Sequence, residues 1–150
     1  MKTFVIIAIS IAVLAALTII IIIATQRNTS PPPNIDLRWE PERIRAAILE
    51  AMPMGTHIDD VVNIVEARED WEEPLISFEH GFLHPRPHLL DPDHGWPISP
   101  LSGQPIIGEQ SIRASIGDYR RNTLTGNVTV LWGFDENGSL IEVYVWKTYR

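Results

Sequence analysis

Histidine and aspartate side chains are concentrated in one short stretch of the chain. Four of the five histidines lie there with two aspartates, in the order His80, His84, His88, Asp91, Asp93 and His94. Imidazole and carboxylate groups are common ligands of divalent metals. A spacing of four residues would align the first three imidazoles on a helix, but Pro85 and Pro87 disfavour a helix there. The spacing therefore does not indicate a metal site, and a metal-binding protein or metal-dependent hydrolase is kept as an alternative hypothesis.

The same stretch carries large apolar side chains that a solvated loop does not need. They are Phe82, Leu83, Leu89, Leu90 and Trp96. The neighbouring prolines restrict the unbound chain, so docking this stretch costs less conformational entropy than docking a flexible loop. We therefore predict that it is the main contact surface for a partner protein and that it binds no metal tightly.

Motifs for catalysis or cofactor binding are missing from the sequence. It contains no Gly-x-Ser-x-Gly, Ser-x-x-Lys or His-Glu-x-x-His motif and no glycine-rich phosphate loop. It also contains no cysteine, which excludes disulfides and thiolate metal sites. The sequence therefore predicts no catalytic residue and no cofactor, and it favours a protein that is not an enzyme.

The overall charge limits the class of partner. The formal net charge is −7, and an acidic protein is repelled by phosphate backbones. Nucleic acid is therefore excluded as a partner, and an unidentified protein is favoured. An immunity or inhibitor protein that neutralises a basic toxin is a further alternative, because an acidic domain would suit such a target.

A long apolar run near the N-terminus predicts a membrane anchor. Residues 4–24 contain no charged side chain and would form a helix of about 31 Å at 1.5 Å per residue, enough to cross the hydrocarbon core. No small-x-small cleavage site ends the run. Lys2 precedes it and Arg27 follows it, which leans toward an exported domain on the periplasmic or extracellular side. We therefore expect a single-pass cell-membrane protein that contacts lipid through residues 4–24.

The rest of the chain is predicted to form one domain. The expected parts are a transmembrane signal-anchor at residues 1–27, a proline-rich tether at 28–36 and a domain at 37–150 with a long loop at about 80–110. Two helices open this domain, with Pro41 in the first turn of the first and Thr56 as the N-cap of the second. Their apolar stripes are Ile44, Ala47 and Ile48 in the first helix and Ile58, Val61, Val62 and Val65 in the second.

The C-terminal third shows the alternation of β-strands. Residues 112–116, 128–134 and 140–149 alternate or are rich in β-branched and aromatic side chains, and Asp135-Glu136-Asn137-Gly138 is a turn sequence that predicts a hairpin. Residues 75–78 indicate a further short strand. Both faces of the last strand are apolar, which favours a central strand or one covered on both sides. The predicted fold is α+β, with two helices packed on a three- to four-stranded antiparallel sheet.

Two short motifs carry a family resemblance. Residues 54–61 (Met-Gly-Thr-His-Ile-Asp-Asp-Val) and residues 132–140 (Trp-Gly-Phe-Asp-Glu-Asn-Gly-Ser-Leu) resemble the Gly-Met-Thr-x-x-x-Val helix start and the Phe-Asn-x-x-Gly-x-Leu hairpin of the BamE-like (SmpA/OmlA) family of small bacterial envelope proteins. The chain departs from that family in lacking a lipid-attachment cysteine and a Leu-Gly-x-Pro after the second helix, and its middle loop is longer. The resemblance implies the helix–helix–sheet order and a scaffold role in envelope assembly.

Overall fold

The structure is a computed structural model that describes residues 34–85, 96–121 and 123–149. The apolar run at residues 4–24 lies outside these ranges, so the anchor predicted there stays a prediction. Within the described ranges, no helix is both long and apolar enough to cross a membrane. The described residues belong to one compact unit.

Within residues 34–85, two short helices precede the strands. Helix α1 spans Pro41–Ala51, with Pro41 in its first turn as predicted. Helix α2 spans Ile58–Glu66 and is capped by His57, whose Nδ1 accepts a hydrogen bond of 3.3 Å from the Asp59 N–H. The prediction of Thr56 as the N-cap is wrong, because the Thr56 hydroxyl instead donates to the Pro53 carbonyl at 2.6 Å.

In the described part of the chain, six strands form two antiparallel sheets. They are β1 (Leu75–Ser77), β2 (Phe82–Leu83), β3 (Ile106–Ile107), β4 (Gln110–Arg121), β5 (Leu124–Phe134) and β6 (Leu140–Tyr149). The main sheet has the order β1-β4-β5-β6, and β2 pairs with β3 in a separate two-stranded sheet. The predicted β5–β6 hairpin is present, closed by a turn in which the Gly138 N–H donates to the Asp135 carbonyl.

The predicted fold class is wrong. The helices have 11 and 9 residues, whereas the three long strands have 12, 11 and 10, so the described domain is mostly strand. Strand β4 is longer than predicted because it continues through a bulge between Ser115 and Gly117, where Gly117 adopts a φ of +124° that favours glycine. The predicted loop at about 80–110 contains β2 and β3, which pair in a second sheet. Pro105 borders β3 without interrupting it.

The two faces of the main sheet differ in how far they are covered. The inner face packs against the helices, and its core includes Ile44, Ile48, Val61, Val65, Ile112, Val130, Trp132 and Val143. The outer face carries the two-stranded sheet near Gly133, where an added Cβ would lie 2.9 Å from Ile107 Cγ2 and 3.1 Å from Phe82 Cε1. Phe82, Ile107 and Leu131 form a small outer cluster, with Trp96 and Tyr144 packed against it.

Strand β6 is an edge strand, which corrects the interpretation of a central strand. Its outer face is apolar for a different reason: Tyr144 packs under the outer cluster, while Trp146 is 37% exposed. The prediction that the last strand is covered on both sides therefore holds only at one end. The other end of the outer face is open.

Candidate functional site

An apolar groove opens on the outer face beside the two-stranded sheet. Its volume is about 320 Å³. One wall is built by the outer layer, from Phe82, Leu83 and Pro85, and the opposite boundary by Trp146. The two-stranded sheet packs over Gly133 and contacts Leu131, and the groove lies beside it, where Trp146 is 37% exposed.

The floor of the groove is one row of residues across three strands. The register pairs Leu75 of β1 with Arg113 of β4, and Arg113 with Leu131 of β5. Opposed residues in a sheet project to the same face, so Arg113 lies between two leucines. Leu131 is buried in the outer cluster, which fixes this part of the floor.

The rim of the groove exposes large apolar side chains to solvent. Leu75 is 69% exposed, Leu83 44% and Trp146 37%. Phe78, which follows β1 directly, is 61% exposed but does not line the groove. Single exposed apolar residues are common, but a group of them around one concavity is typical of an interaction surface.

Arg113 is the only charged side chain among the described residues that line the groove. It is exposed, and within the described ranges no carboxylate pairs with it. The two hydroxyls nearby are engaged with the backbone: the Ser111 hydroxyl donates to the His80 carbonyl, and Ser77 Oγ accepts from the His80 N–H. The groove is therefore apolar with one available cation.

A polar network borders the groove on the open part of the outer face. The Asn127 side-chain amide donates to Ser115 Oγ at 2.8 Å and to Asp118 Oδ1 at 3.0 Å, and its oxygen accepts from the Thr129 hydroxyl at 3.0 Å. These polar side chains satisfy one another by hydrogen bonding. The network therefore has a structural role and marks where the apolar surface ends.

The predicted partner-contact residues separate into three groups. Leu83 lines the groove and is exposed, as a contact residue requires. Phe82 is only 7% exposed and Trp96 packs against the outer cluster, so both hold the outer layer in place. Leu89 and Leu90 lie outside the described residues.

The histidines that were considered as metal ligands occupy different environments. His80 is exposed, while His84 is 3% exposed and packs its ring edge-on against Tyr144 at 4.4 Å between centroids. His88, Asp91, Asp93 and His94 lie outside the described residues. Over the described ranges, no three histidine, aspartate or glutamate side chains come together as a metal site.

A second cavity of about 360 Å³ lies beside the β5–β6 turn and is lined partly by Glu109, Asp135 and Glu136. Asp135 Oδ1 accepts hydrogen bonds from the Asn137 and Ser139 N–H groups, so this carboxylate holds the turn. The hairpin thus accounts for Asp135 in this acidic lining. The larger cavity is the weaker candidate.

Sequence reasoning missed Leu75, Arg113, Leu131 and Trp146 as members of one site. One signal was visible in the sequence: the last strand has apolar residues on both faces. The structure shows that this strand lies at the edge of the sheet, so its outer face is partly open. The groove itself depends on the register of strands that are far apart in the chain.

Comparisons with known proteins give no match for this chain: no protein-family model, no curated protein and no solved structure is similar to it. The likeness to BamE-like proteins therefore rests on its two short motifs alone.

Proposed function

We propose that this chain is a non-enzymatic envelope protein, anchored at the cell membrane by its N-terminal apolar run, whose domain binds another protein in the outer-face groove. One observation carries the proposal: the exposed apolar rim of Leu75, Leu83 and Trp146 around a preformed concavity. The assembly or scaffold role is proposed from the resemblance of the two short motifs to BamE-like proteins.

Burial of this rim would stabilise a complex. Full burial of a large apolar side chain contributes about 1.5–3 kcal/mol, so covering two or three of them supplies a useful part of a binding free energy. Tryptophan and arginine are also the residue types that most often dominate protein interfaces. Trp146 and Arg113 place one of each in the same groove.

The groove is preorganised, which lowers the cost of binding. Its floor lies on the paired strands β1, β4 and β5, and its wall is held by Phe82 and Ile107 against Gly133. A partner therefore does not have to order these groups, and less conformational entropy is lost when it docks.

Site-specific photocrosslinking tests the proposal. A benzoylphenylalanine placed at Leu83 of the full-length protein in its native membrane should form a discrete protein adduct. The same group at Leu124, which is 49% exposed next to the β4–β5 turn, should not. The substitution Trp146→Asp should remove the adduct from position 83, because a carboxylate on the opposite rim makes the apolar groove costly to cover.

Leu124→Asp is the matched control, since it introduces the same charge at an exposed apolar position outside the groove. The proposal fails if the adduct at position 83 survives Trp146→Asp, or if positions 83 and 124 give the same adducts.

A further inference from the structure

We infer that the groove selects a partner segment that is acidic as well as apolar, with a carboxylate that pairs with Arg113. This inference rests on the proposed function and names the chemistry of the partner. It follows from the position of Arg113 in the groove and from its contrast with four other arginines of the described residues, which have partners.

Four of the seven arginines among the described residues are already engaged. Arg38 pairs with Asp36 at 2.7 Å, Arg45 with Glu142 at 2.8 Å and Arg68 with Asp70 at 2.8 Å. Arg43 stacks over the Trp39 ring at 4.1 Å. Within the described residues Arg113, like Arg120 and Arg121, has none of these arrangements, but of these three only Arg113 lines the groove.

The surroundings of Arg113 make its charge selective. Leu75 and Leu131 flank it in the sheet, and the lining of the groove holds no acid among the described residues. An apolar segment that fills the groove would remove water from the guanidinium, and a cation left unpaired under such a cover is costly. A carboxylate on the incoming segment removes that cost, whereas a lysine there adds repulsion.

A second feature directs the carboxylate to Arg113. The neighbouring Ser77 and Ser111 side chains are turned to the His80 backbone. Among the described residues of the groove floor, Arg113 is then the polar side chain that is free to bind a ligand group. An extended peptide with leucines on either side of an acidic residue matches this order of groups.

Three fluorescent octapeptides that differ at one central position test the inference. Each is blocked at both ends and built of leucine and serine around a central aspartate, asparagine or lysine. Anisotropy titration of the full-length protein should show the aspartate peptide binding about fivefold tighter than the asparagine peptide, with the lysine peptide weakest. Arg113→Gln should erase the difference between aspartate and asparagine, and Arg113→Glu should reverse the order to favour lysine.

Arg120→Glu is the matched control, because Arg120 is exposed on the same strand, outside the groove lining, and the change in net charge is the same. This variant should keep the preference for aspartate. Equal affinities of the wild-type protein for the aspartate and asparagine peptides would overturn the inference. An absence of binding by all three peptides would also overturn it. So would displacement of the bound aspartate peptide by sodium decanoate.

Failure of the inference can be separated from failure of the proposed function. If the adduct at position 83 forms and is unaffected by Arg113→Glu, the groove binds a protein without using this charge, and only the inference is lost. If the adduct does not depend on the groove at all, the proposed function is lost as well.

Discussion

At the scale of single residues, Trp132 is the centre of the inner core. It is the largest fully buried side chain among the described residues, and its ring lies 6.2 Å from that of Trp71. Its indole Nε1 is buried without a hydrogen-bond partner in the described part of the chain. The side chain therefore stabilises the fold by apolar packing, while its polar group reduces that gain.

Substitutions at this position should separate the two contributions. We expect Trp132→Ala to lower the free energy of unfolding by about 3–5 kcal/mol, because it leaves a cavity between the sheet and the helices. Trp132→Phe should cost much less, since it keeps an aromatic ring and removes the unsatisfied N–H. Chemical denaturation of the full-length protein measures both, and equal losses would show that the indole N–H has a partner after all.

Asp36 and Arg38 form an exposed pair near the start of the described chain. Three side-chain hydrogen bonds from Arg38 to the Asp36 carboxylate, of 2.9, 3.2 and 2.7 Å, lower the pKa of Asp36 from 3.8 to about 2, with a smaller contribution from the Arg38 N–H. A lowered carboxylate pKa means that the pair contributes to stability above pH 3.8. That contribution is lost as the pH falls through 2.

An NMR titration tests this pair directly. The Asp36 carboxyl should titrate near pH 2 in the wild-type protein and near 3.8 in Arg38→Ala, because its hydrogen-bond donor is gone. Asp70 is the internal control: hydrogen bonding from Arg68 lowers its pKa independently, so its midpoint should not move. An Asp36 midpoint near 3.8 in both proteins would show that the pair does not form in solution.

At the scale of elements, the free edge of β6 is protected by charged side chains. Arg45 Nε donates to the Val143 carbonyl at 2.7 Å, and the Val143 N–H donates to Glu142 Oε1 at 2.9 Å. The same Glu142 oxygen accepts from Arg45 Nη2 at 2.8 Å. One ion pair thus satisfies both edge-facing backbone groups of Val143, and unpaired groups of this kind promote association between sheets.

Removal of this protection should promote self-association. We expect Arg45→Ala to lower the free energy of unfolding by about 1 kcal/mol, a value typical of a partly exposed pair, and to increase the weight-average mass in sedimentation. Arg43→Ala is the control on the same helix, because it removes the same charge but contacts the Trp39 ring, not β6. Sedimentation profiles that are the same for both variants would argue against a protective role.

At the scale of the whole molecule, the acidic charge and the N-terminal apolar run set the context in which the groove acts. Neither depends on the packing of the domain. The protein has a net charge of −7, so the positive charge of Arg113 in the groove is a local exception to a negative electrostatic potential. Such an exception favours specificity at close range over long-range attraction.

The membrane prediction is tested by fractionation. The full-length protein should stay in the membrane pellet after a carbonate wash, and its intact mass should retain residues 1–27. Leu14→Arg combined with Leu17→Arg should release it, because both positions lie near the centre of the apolar run, where an arginine costs about 2.5–3.5 kcal/mol on insertion. A mature mass that begins at about residue 25–30 would contradict the anchor.

The sequence by itself determined the features that depend on neighbouring residues. The Asp135–Gly138 turn and the alternation on either side of it predict the β5–β6 hairpin, because turn geometry and strand pairing act over a few residues. Pro41 predicts the start of α1 for the same reason. The family resemblance and the partner chemistry stay predictions.

Only the tertiary structure decided the candidate site. Leu75, Arg113, Leu131 and Trp146 meet because β1, β4, β5 and β6 pair in one register, and a shift of one residue would turn these side chains to the other face. The outer layer also depends on a distant contact, that of Phe82 and Ile107 on Gly133. Local propensity carries no information about such pairings, because their free energy comes from groups that are brought together only when the chain has folded.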